Sequence, residues 1–415
     1  MNEVRNIVIG FQLGRKTSQI CYYDRKMQEP VSVATKVGST LFEFPTTLCK
    51  KINSDSWHFG LEAEYFGQQD GTVYVDRLYE YNESDAPVEV DGVLYEPWQL
   101  LAIFFQESLK MLGVQDLTKA VSGMMVTVES LDAVLVDNLK KALDTLNLKK
   151  GCCKIQNYGE SFYYYAFYQK PELYLKKVAL MEFDEKKLYM QTLQIEKATK
   201  PMLVTLSDKK EFTLGDTPEQ WDQDLYQVLC QTMEMDAYAC AYLIGNGFDR
   251  TWAVTSLPRL VKGARRVFSG NNLFVKGACY AAKEKTEEKR LKEYLYVGED
   301  LVRTNVGMEM IVHGMNGYYP LIKAGENWYE AEHSCDFILD DKTELNFISS
   351  PMEVGEKKVF AMELPNLPKR PNRTTRLHLE IWAESAKQCR IRVTDMGFGE
   401  MFPATGRSWT DTLEI

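Results

Sequence analysis

The sequence has no apolar run long enough to cross a bilayer as a helix; no window approaches the roughly 18 consecutive apolar residues that such a span needs. A basic excess is missing too. Lys and Arg total 49 against 59 Asp and Glu, a net charge of −10, whereas phosphate-reading surfaces depend on clustered cations. Nucleic acid and membrane are therefore not expected partners. The local run Arg259, Lys262, Arg265 and Arg266 is read as a solvated face. Histidine is scarce: His58, His313, His333 and His378 stand far apart with no ligand partner at metal spacing, so no metal site is expected. The nine cysteines are odd in number and contain no C-x-x-C, and the adjacent Cys152 and Cys153 cannot readily bridge. Met1 to Arg5 leads into a strand without a charged-then-apolar leader pattern, so a soluble, cytoplasmic protein is expected.

What is present is ordinary globular material, 45% hydrophobic and 26% charged. A chain of 415 residues exceeds one comfortable core, and about two to four domains or subdomains are expected. "NIVIGFQLGRKTSQICYYD", from Asn6 to Asp24, reads as two apolar strands around a turn held by Gly10 and Gly14. Strands are expected over 6–11, 18–24 and 30–36. In "PWQLLAIFFQESLKMLG" the period changes: Trp98, Leu101, Phe105, Leu109 and Leu112 mark one face of a helix closed by Gly113. A strand "AVSGMMVTVES", a helix "SLDAVLVDNLKKALDTLNL" and an aromatic helical piece "ESFYYYAFYQ" follow. Strands alternating with helices argue for an α/β sheet.

The scheme then repeats in shortened form. "KVALMEFD" and "KKLYMQTLQIE" form a second hairpin, Thr217-Pro218-Glu219 opens a helix, and "YACAYLIGNGFDRTW" is a buried strand ending at Gly245-Asn246-Gly247. The mixed-charge stretch 283–295 is expected to be a linker. Beyond it, residues 296–415 give short alternating strands, an all-β sandwich by pattern.

This order of elements resembles the DnaK-type heat-shock chaperones of the actin-like ATPase superfamily across nearly the whole chain. Their first phosphate turn reads Gly-Ile-Asp-Leu-Gly-Thr-Thr; the same place here holds Gly10, Phe11, Gln12, Leu13, Gly14, Arg15 and Lys16. "STLFEFPTTLC", "WHFGLEAE" and "TVYVDRLYEY" resemble the family's next segments, "LIGNGFDRTW" its adenosine-binding turn and "FVKGACYAA" the alanine-rich helix after it. "LVRTNVGMEM" and "ELPNLPKRPNRTTRLHLEIWAESAKQCRIRV" resemble parts of the peptide-binding β-domain. The resemblance implies an actin-like domain over 1–282, with lobe I over 1–176 and a reduced lobe II over 177–282. A substrate-binding-like sandwich follows over 296–415. With the chain ending at Ile415, no helical lid is expected.

The departures from the family pattern fall on the phosphate chemistry. The aspartate that positions magnesium-bound water in the family is Gln12 here, and a neutral amide is not an anionic ligand. Asp76 stands where the catalytic lysine belongs, and Glu182 to Lys187 replace the glycine-rich second phosphate turn with no glycine at all. No catalytic residue is assigned. If ATP or ADP binds, the resemblance places it at Gly10, Gln12, Gly14, Arg15, Lys16, Glu160, Gly245, Gly247 and Arg250. An active, divergent ATPase chaperone and a fixed subunit of a larger complex are the alternatives to a scaffold without turnover. The partner implied is a protein or extended peptide, held by Met308, Met310, Ile311, Val312, Met315, Tyr318 and Tyr319. The aromatic run from Phe162 to Tyr168 is expected to fill a core rather than cage a ligand.

Overall fold

The apolar run at the start of the chain folds as β1 (Ile7–Leu13), returns as β2 (Thr17–Asp24) and turns again into β3 (Glu29–Ser32), an antiparallel meander. On the other side of β1, β4 (Val121–Val128) and β5 (Cys153–Asn157) add in parallel, so sheet I runs β5-β4-β1-β2-β3. Parallel neighbours need a crossover, and helices supply it. Ahead of β4 comes α1 (Pro97–Leu109), extended by a 3-10 turn that ends at Gly113 with φ 62°. Between β4 and β5 lies α2 (Ala133–Asp144), whose N-cap Asp132 accepts from the Leu135 N–H. Leaving β5 is α3 (Tyr158–Phe167), capped by Asn157, which accepts from the Glu160 N–H at 2.8 Å. This computed structural model describes residues 6–36, 38–234, 236–287, 289–340, 343–352 and 355–415; the segment Met1 to Arg5 read for a leader lies outside them.

The five-strand order of sheet I recurs in a second sheet, sheet II, of lobe II. An antiparallel meander of β6 (Lys177–Asp184), β7 (Lys187–Glu196) and β8 (Met202–Leu206) is extended on the far side of β6 by parallel β9 (Tyr238–Gly245) and β10 (Arg266–Ser269). The order is β10-β9-β6-β7-β8. Ahead of β9 runs α4 (Pro218–Met233), started by a capping box in which Thr217 and Gln220 satisfy each other's backbone N–H groups. Short α5 (Ser256–Leu260) is held at its start by buried Asp222, which accepts from Thr255 N at 2.6 Å and Ser256 N at 2.8 Å. Then α6 (Leu273–Thr286) leaves β10 as α3 leaves β5.

The two closing helices are exchanged between the sheets. A Cβ at Gly10 of β1 would collide with the Val275 carbonyl and stand 2.6 Å from the Cys279 nitrogen, so α6 lies directly on sheet I. Conversely, Phe162 and Tyr165 of α3 meet Tyr242 of β9 edge-on, with centroids 6.0 Å and 5.4 Å apart. Where the helices cross, Gly277 admits the Ser161 carbonyl so closely that a Cβ there would overlap it. One hydrophobic cluster results, running from Val8, Cys21 and Met125 of sheet I through α3 and α6 to Val178, Leu180 and Tyr242 of sheet II. The aromatic run of α3 belongs to it, with Phe162 and Phe167 fully buried.

The charged stretch 283–295 is not the linker its composition suggests. Lys283 to Thr286 complete α6, and buried Glu284 accepts from the Tyr168 hydroxyl at 2.6 Å and the Leu291 N–H at 2.7 Å. A further strand, β11 (Tyr294–Tyr296), then joins β8 in parallel, and Tyr296 stacks on Tyr163. The division into two compact units therefore falls later, between Gly298 and Glu299. Charge pattern alone misses this because the buried contacts of Glu284 and Leu291 are tertiary.

The second unit, taken by itself, holds two four-stranded antiparallel sheets. The first comprises β12 (Thr304–Val312) and β13 (Met315–Ile322). After β14 (Glu332–Ile338) come its other two strands, β15 (Glu344–Pro351) and β16 (Lys358–Glu363). The second joins β14 to β17 (Arg376–Ser385), β18 (Gln388–Gly397) and β19 (Ser408–Glu414). The orders are β13-β12-β15-β16 and β14-β17-β18-β19. Within β18, Asp395 is 0% exposed and receives both Nη atoms of Arg370 at 2.7 Å and 2.8 Å, plus the Thr405 hydroxyl. Burial pushes the Asp395 carboxyl up, but the bonds from Arg370, Thr405 and Gly397 outweigh it and hold the group far below the usual carboxylate range.

Two stability measurements follow from these contacts. Gly277→Ala should lower the stability of the first unit by about 1–3 kcal/mol in urea unfolding, since the Ser161 backbone cannot retreat without moving α3. Asp395→Asn should cost about 3–5 kcal/mol in the second unit by leaving Arg370 buried without its anion. Because the folded carboxyl titrates below its unfolded value near ~4, its stabilisation is complete above that pH and fades as pH falls towards the folded value.

Candidate functional site

Open α/β sheets present ligands to the carboxyl ends of their parallel strands. In sheet I those ends carry a polar rung. Strand register pairs Gln156 of β5 with Thr127 of β4, Thr127 with Gln12 of β1, and Gln12 with Gln19 of β2. Residues on one rung share a face. Gln156, Thr127 and Gln19 are nearly or fully buried. Gln156 donates to the Ser161 hydroxyl at 2.6 Å, and Ser161 meets Thr127 at 2.8 Å. Gln12 donates to the Tyr158 hydroxyl at 3.2 Å, and the Tyr158 ring stacks on Phe274 of α6 at 4.2 Å and 9°. Burial drives the Tyr158 phenol pKa up, so it stays neutral.

Gly10 and Gly14, read as phosphate-turn glycines, have packing reasons of their own. Gly10 makes room for α6, and a Cβ on Gly14 would strike the Thr17 carbonyl across its own turn. Arg15 already has partners: its guanidinium forks onto Glu83 at 2.8 Å and 2.5 Å and lies 4.7 Å from the Tyr79 ring centroid. That carboxylate raises the arginine pKa further. Lys16 is exposed. Glu160 is buried in α3, and Lys285 of α6 reaches it at 3.1 Å, an ion pair that ties the exchanged helices together.

In lobe II the second turn is a two-residue hairpin tip, with Asp184 paired to Lys187 and Glu185 at φ 50°. Lys186 is drawn to Asp216 at 2.6 Å and Lys187 to Glu211 at 2.8 Å. Gly245 does need its glycine: φ is 84°, and its N–H donates to Asn271 Oδ1 at 2.8 Å. The Gly247 carbonyl accepts from the Trp252 indole at 3.2 Å, and Arg250 is exposed. Gln12 and Gly14 thus stand together beside Tyr158, and Glu160 contacts α6; Gly245 and Gly247 belong to the lobe II turn.

Sequence reading missed Gln19, Glu43, Tyr158, Phe274 and Asn271. One signal was available: Gln19 directly precedes the apolar run Ile20 to Tyr23, across from Gln12, which interrupts the otherwise apolar β1. The stack of Tyr158 on Phe274 had none, because the two rings come from opposite halves of a duplicated fold.

In the second unit the seven groove residues divide between two faces of the β12–β13 hairpin, as a period of two requires. Pairing places Met308 with Tyr319, Met310 with Gly317 and Val312 with Met315 on one face. Ile311 lies opposite Asn316 and Tyr318 opposite Glu309 on the other. Met308 is buried, while Met315 is 72% exposed and Ile311 57%. Tyr318 lies over Gly307, and Tyr319 faces His333 at 3.4 Å.

Residues 29–299 match a family described as "Family of unknown function (DUF5716) C-terminal". The chain belongs to that family. Residues 301–415 match "Domain of unknown function (DUF8552)", so the two matches meet where the two compact units divide. No curated protein matches the chain. Among the described residues no helix is long and apolar enough to cross a membrane.

A stability contrast separates the cations of this site. Lys285→Met should cost about 1–3 kcal/mol by removing one cation from buried Glu160. Lys16→Met, at an exposed position, should stay within about 0.5 kcal/mol of the parent. Urea unfolding of both variants checks the pair.

Proposed function

We propose that this protein is a scaffold akin to the DnaK-type chaperones, with an actin-like first unit that does not turn over ATP. Its second unit, a chaperone-like β-sandwich on this reading, holds an extended segment of another protein in a cytoplasmic setting. The duplicated sheets with exchanged closing helices favour the actin-like part of this reading. The absence of turnover is supported by charge. Phosphoryl transfer relies on cations and metal around the phosphates, but here Arg15 is committed to Glu83 and the second turn opens with Asp184 and Glu185.

The binding role rests on one observation, the exposed apolar end of the β12–β13 hairpin. Among the described strands β13 is an edge, paired only with β12, and it carries Met315 and Tyr318 into solvent beside Ile311 and Val312. An edge strand offers backbone groups to an incoming extended chain, with side chains giving selectivity.

Calorimetry with ATP and ADP, with and without magnesium, should give no binding up to about millimolar concentration. Magnesium-dependent hydrolysis that disappears in Gly14→Val would overturn the scaffold reading. In a fluorescence assay with labelled apolar heptapeptides, the double variant Ile311→Ser, Met315→Ser should weaken capture by at least about tenfold. Equal capture by parent and variant would remove the hairpin from the binding surface.

A further inference from the structure

Gln19 is 3% exposed, and its amide orientation is settled by its neighbours. Its Nε2 donates to the Asn271 backbone carbonyl at 2.9 Å and points its second hydrogen towards Glu43 Oε1 at 3.4 Å. The amide oxygen is left as a buried acceptor with no donor. One strand away on the same rung, Gln12 has a second such oxygen. Gln156 Oε1, further along the rung beyond Thr127, is a third, and such a run of buried acceptors is not expected of a finished core.

Glu43 completes the cluster. It is partly buried, engages in none of the ion pairs among the described residues, and burial alone pushes its carboxyl pKa up. From lobe II, Asn271 adds its carbonyl, already taken by Gln19, and its side chain is used by Gly245 and Asn246. The place is thus rich in acceptors, carries a negative charge, and has a solvent side at Glu43 and Gln12.

We propose that Glu43, Gln19 and Gln12 form a recognition site for an organic cation, an ammonium or guanidinium group, at the seam of the two sheets. Such a group brings three to five N–H donors of the required sign, enough for a carboxylate and two amide oxygens. A hard metal ion would want six or more oxygens in one sphere, and three side chains on neighbouring segments do not supply them. Phosphate is the wrong sign for this cluster. The site does not depend on the scaffold reading, since it concerns the first unit only and requires neither a peptide groove nor loss of ATP turnover.

The test is calorimetry of the full chain with n-butylguanidinium, n-butylammonium, tetramethylammonium and magnesium. The N–H-bearing cations should bind in the millimolar range, and tetramethylammonium, which has no N–H, should not. The isosteric variant Glu43→Gln should weaken binding by at least about tenfold, and Gln19→Met, which keeps the volume, by a similar factor. Thermal melting checks that both variants fold; Gln12→Met replaces either one that does not. The peptide acetyl-Gly-Arg-Gly-amide distinguishes the source. Binding as tight as n-butylguanidinium supports the site as a socket for a partner's arginine, and binding of the small cation alone supports it as a site for a free amine. No binding at ~100 mM, equal binding by parent and Glu43→Gln, or magnesium binding tighter than either amine would overturn the proposal.

Discussion

The first unit depends on a backbone-to-backbone approach that only glycine permits. Gly10 lets α6 rest on β1, and Gly277 lets the same helix touch the Ser161 carbonyl of α3. With a side chain at either place the helix would have to lift, and the contacts that follow from its position would separate. These include Lys285 on Glu160, Phe274 on Tyr158, and the continuous cluster from Val8 to Tyr242. Because each lobe lends its closing helix to the other's sheet, the core between the two sheets is built jointly, whereas the other face of the second sheet has its own cluster around Phe183, Leu225 and Leu243. Cooperativity between the halves is a consequence of that exchange.

The same crossing shapes the polar rung. Tyr158 and Asn157 begin α3, and Asn271 stands just ahead of α6, so their positions follow from where the helices can lie. Gln12 is held by Tyr158 and Gln19 by Asn271, one tie from each exchanged helix. Charge around this edge is mostly spent internally, Arg15 on Glu83 and Lys285 on Glu160. Glu43 stands out as an acidic group at the seam that no cation in the described residues neutralises. The second unit follows a different economy: alternating strands bury one face, and a single buried Arg370–Asp395 fork anchors the turn beside them.

Much of the local architecture was legible from pattern. The helix from Pro97 carried its period and its closing glycine, and Thr217-Pro218 announced the start of α4. The hairpin of β6 and β7 followed from two apolar runs with a charged tip. Boundaries set by tertiary contact were less visible. The third strand stops at Ser32 rather than 36, and the charged stretch after Ala282 belongs to α6 and the lobe II sheet. Charge density signals solvent exposure on average, but Glu284 is buried because three donors meet it there.

Local sequence determined where most strands and helices begin, since periodicity and capping act over a few residues, but it put Gly10 in a turn where the structure has it in mid-strand. The site was decided elsewhere. Gln12 and Gln19 become a pair only through strand register, Tyr158 and Phe274 only through helix exchange, and Arg15 is withdrawn by a glutamate far along the chain. The groove residues of the second unit likewise divide between two faces once the hairpin pairs. Each of these depends on which segments lie side by side, and that is a property of packing, not of any short stretch of chain.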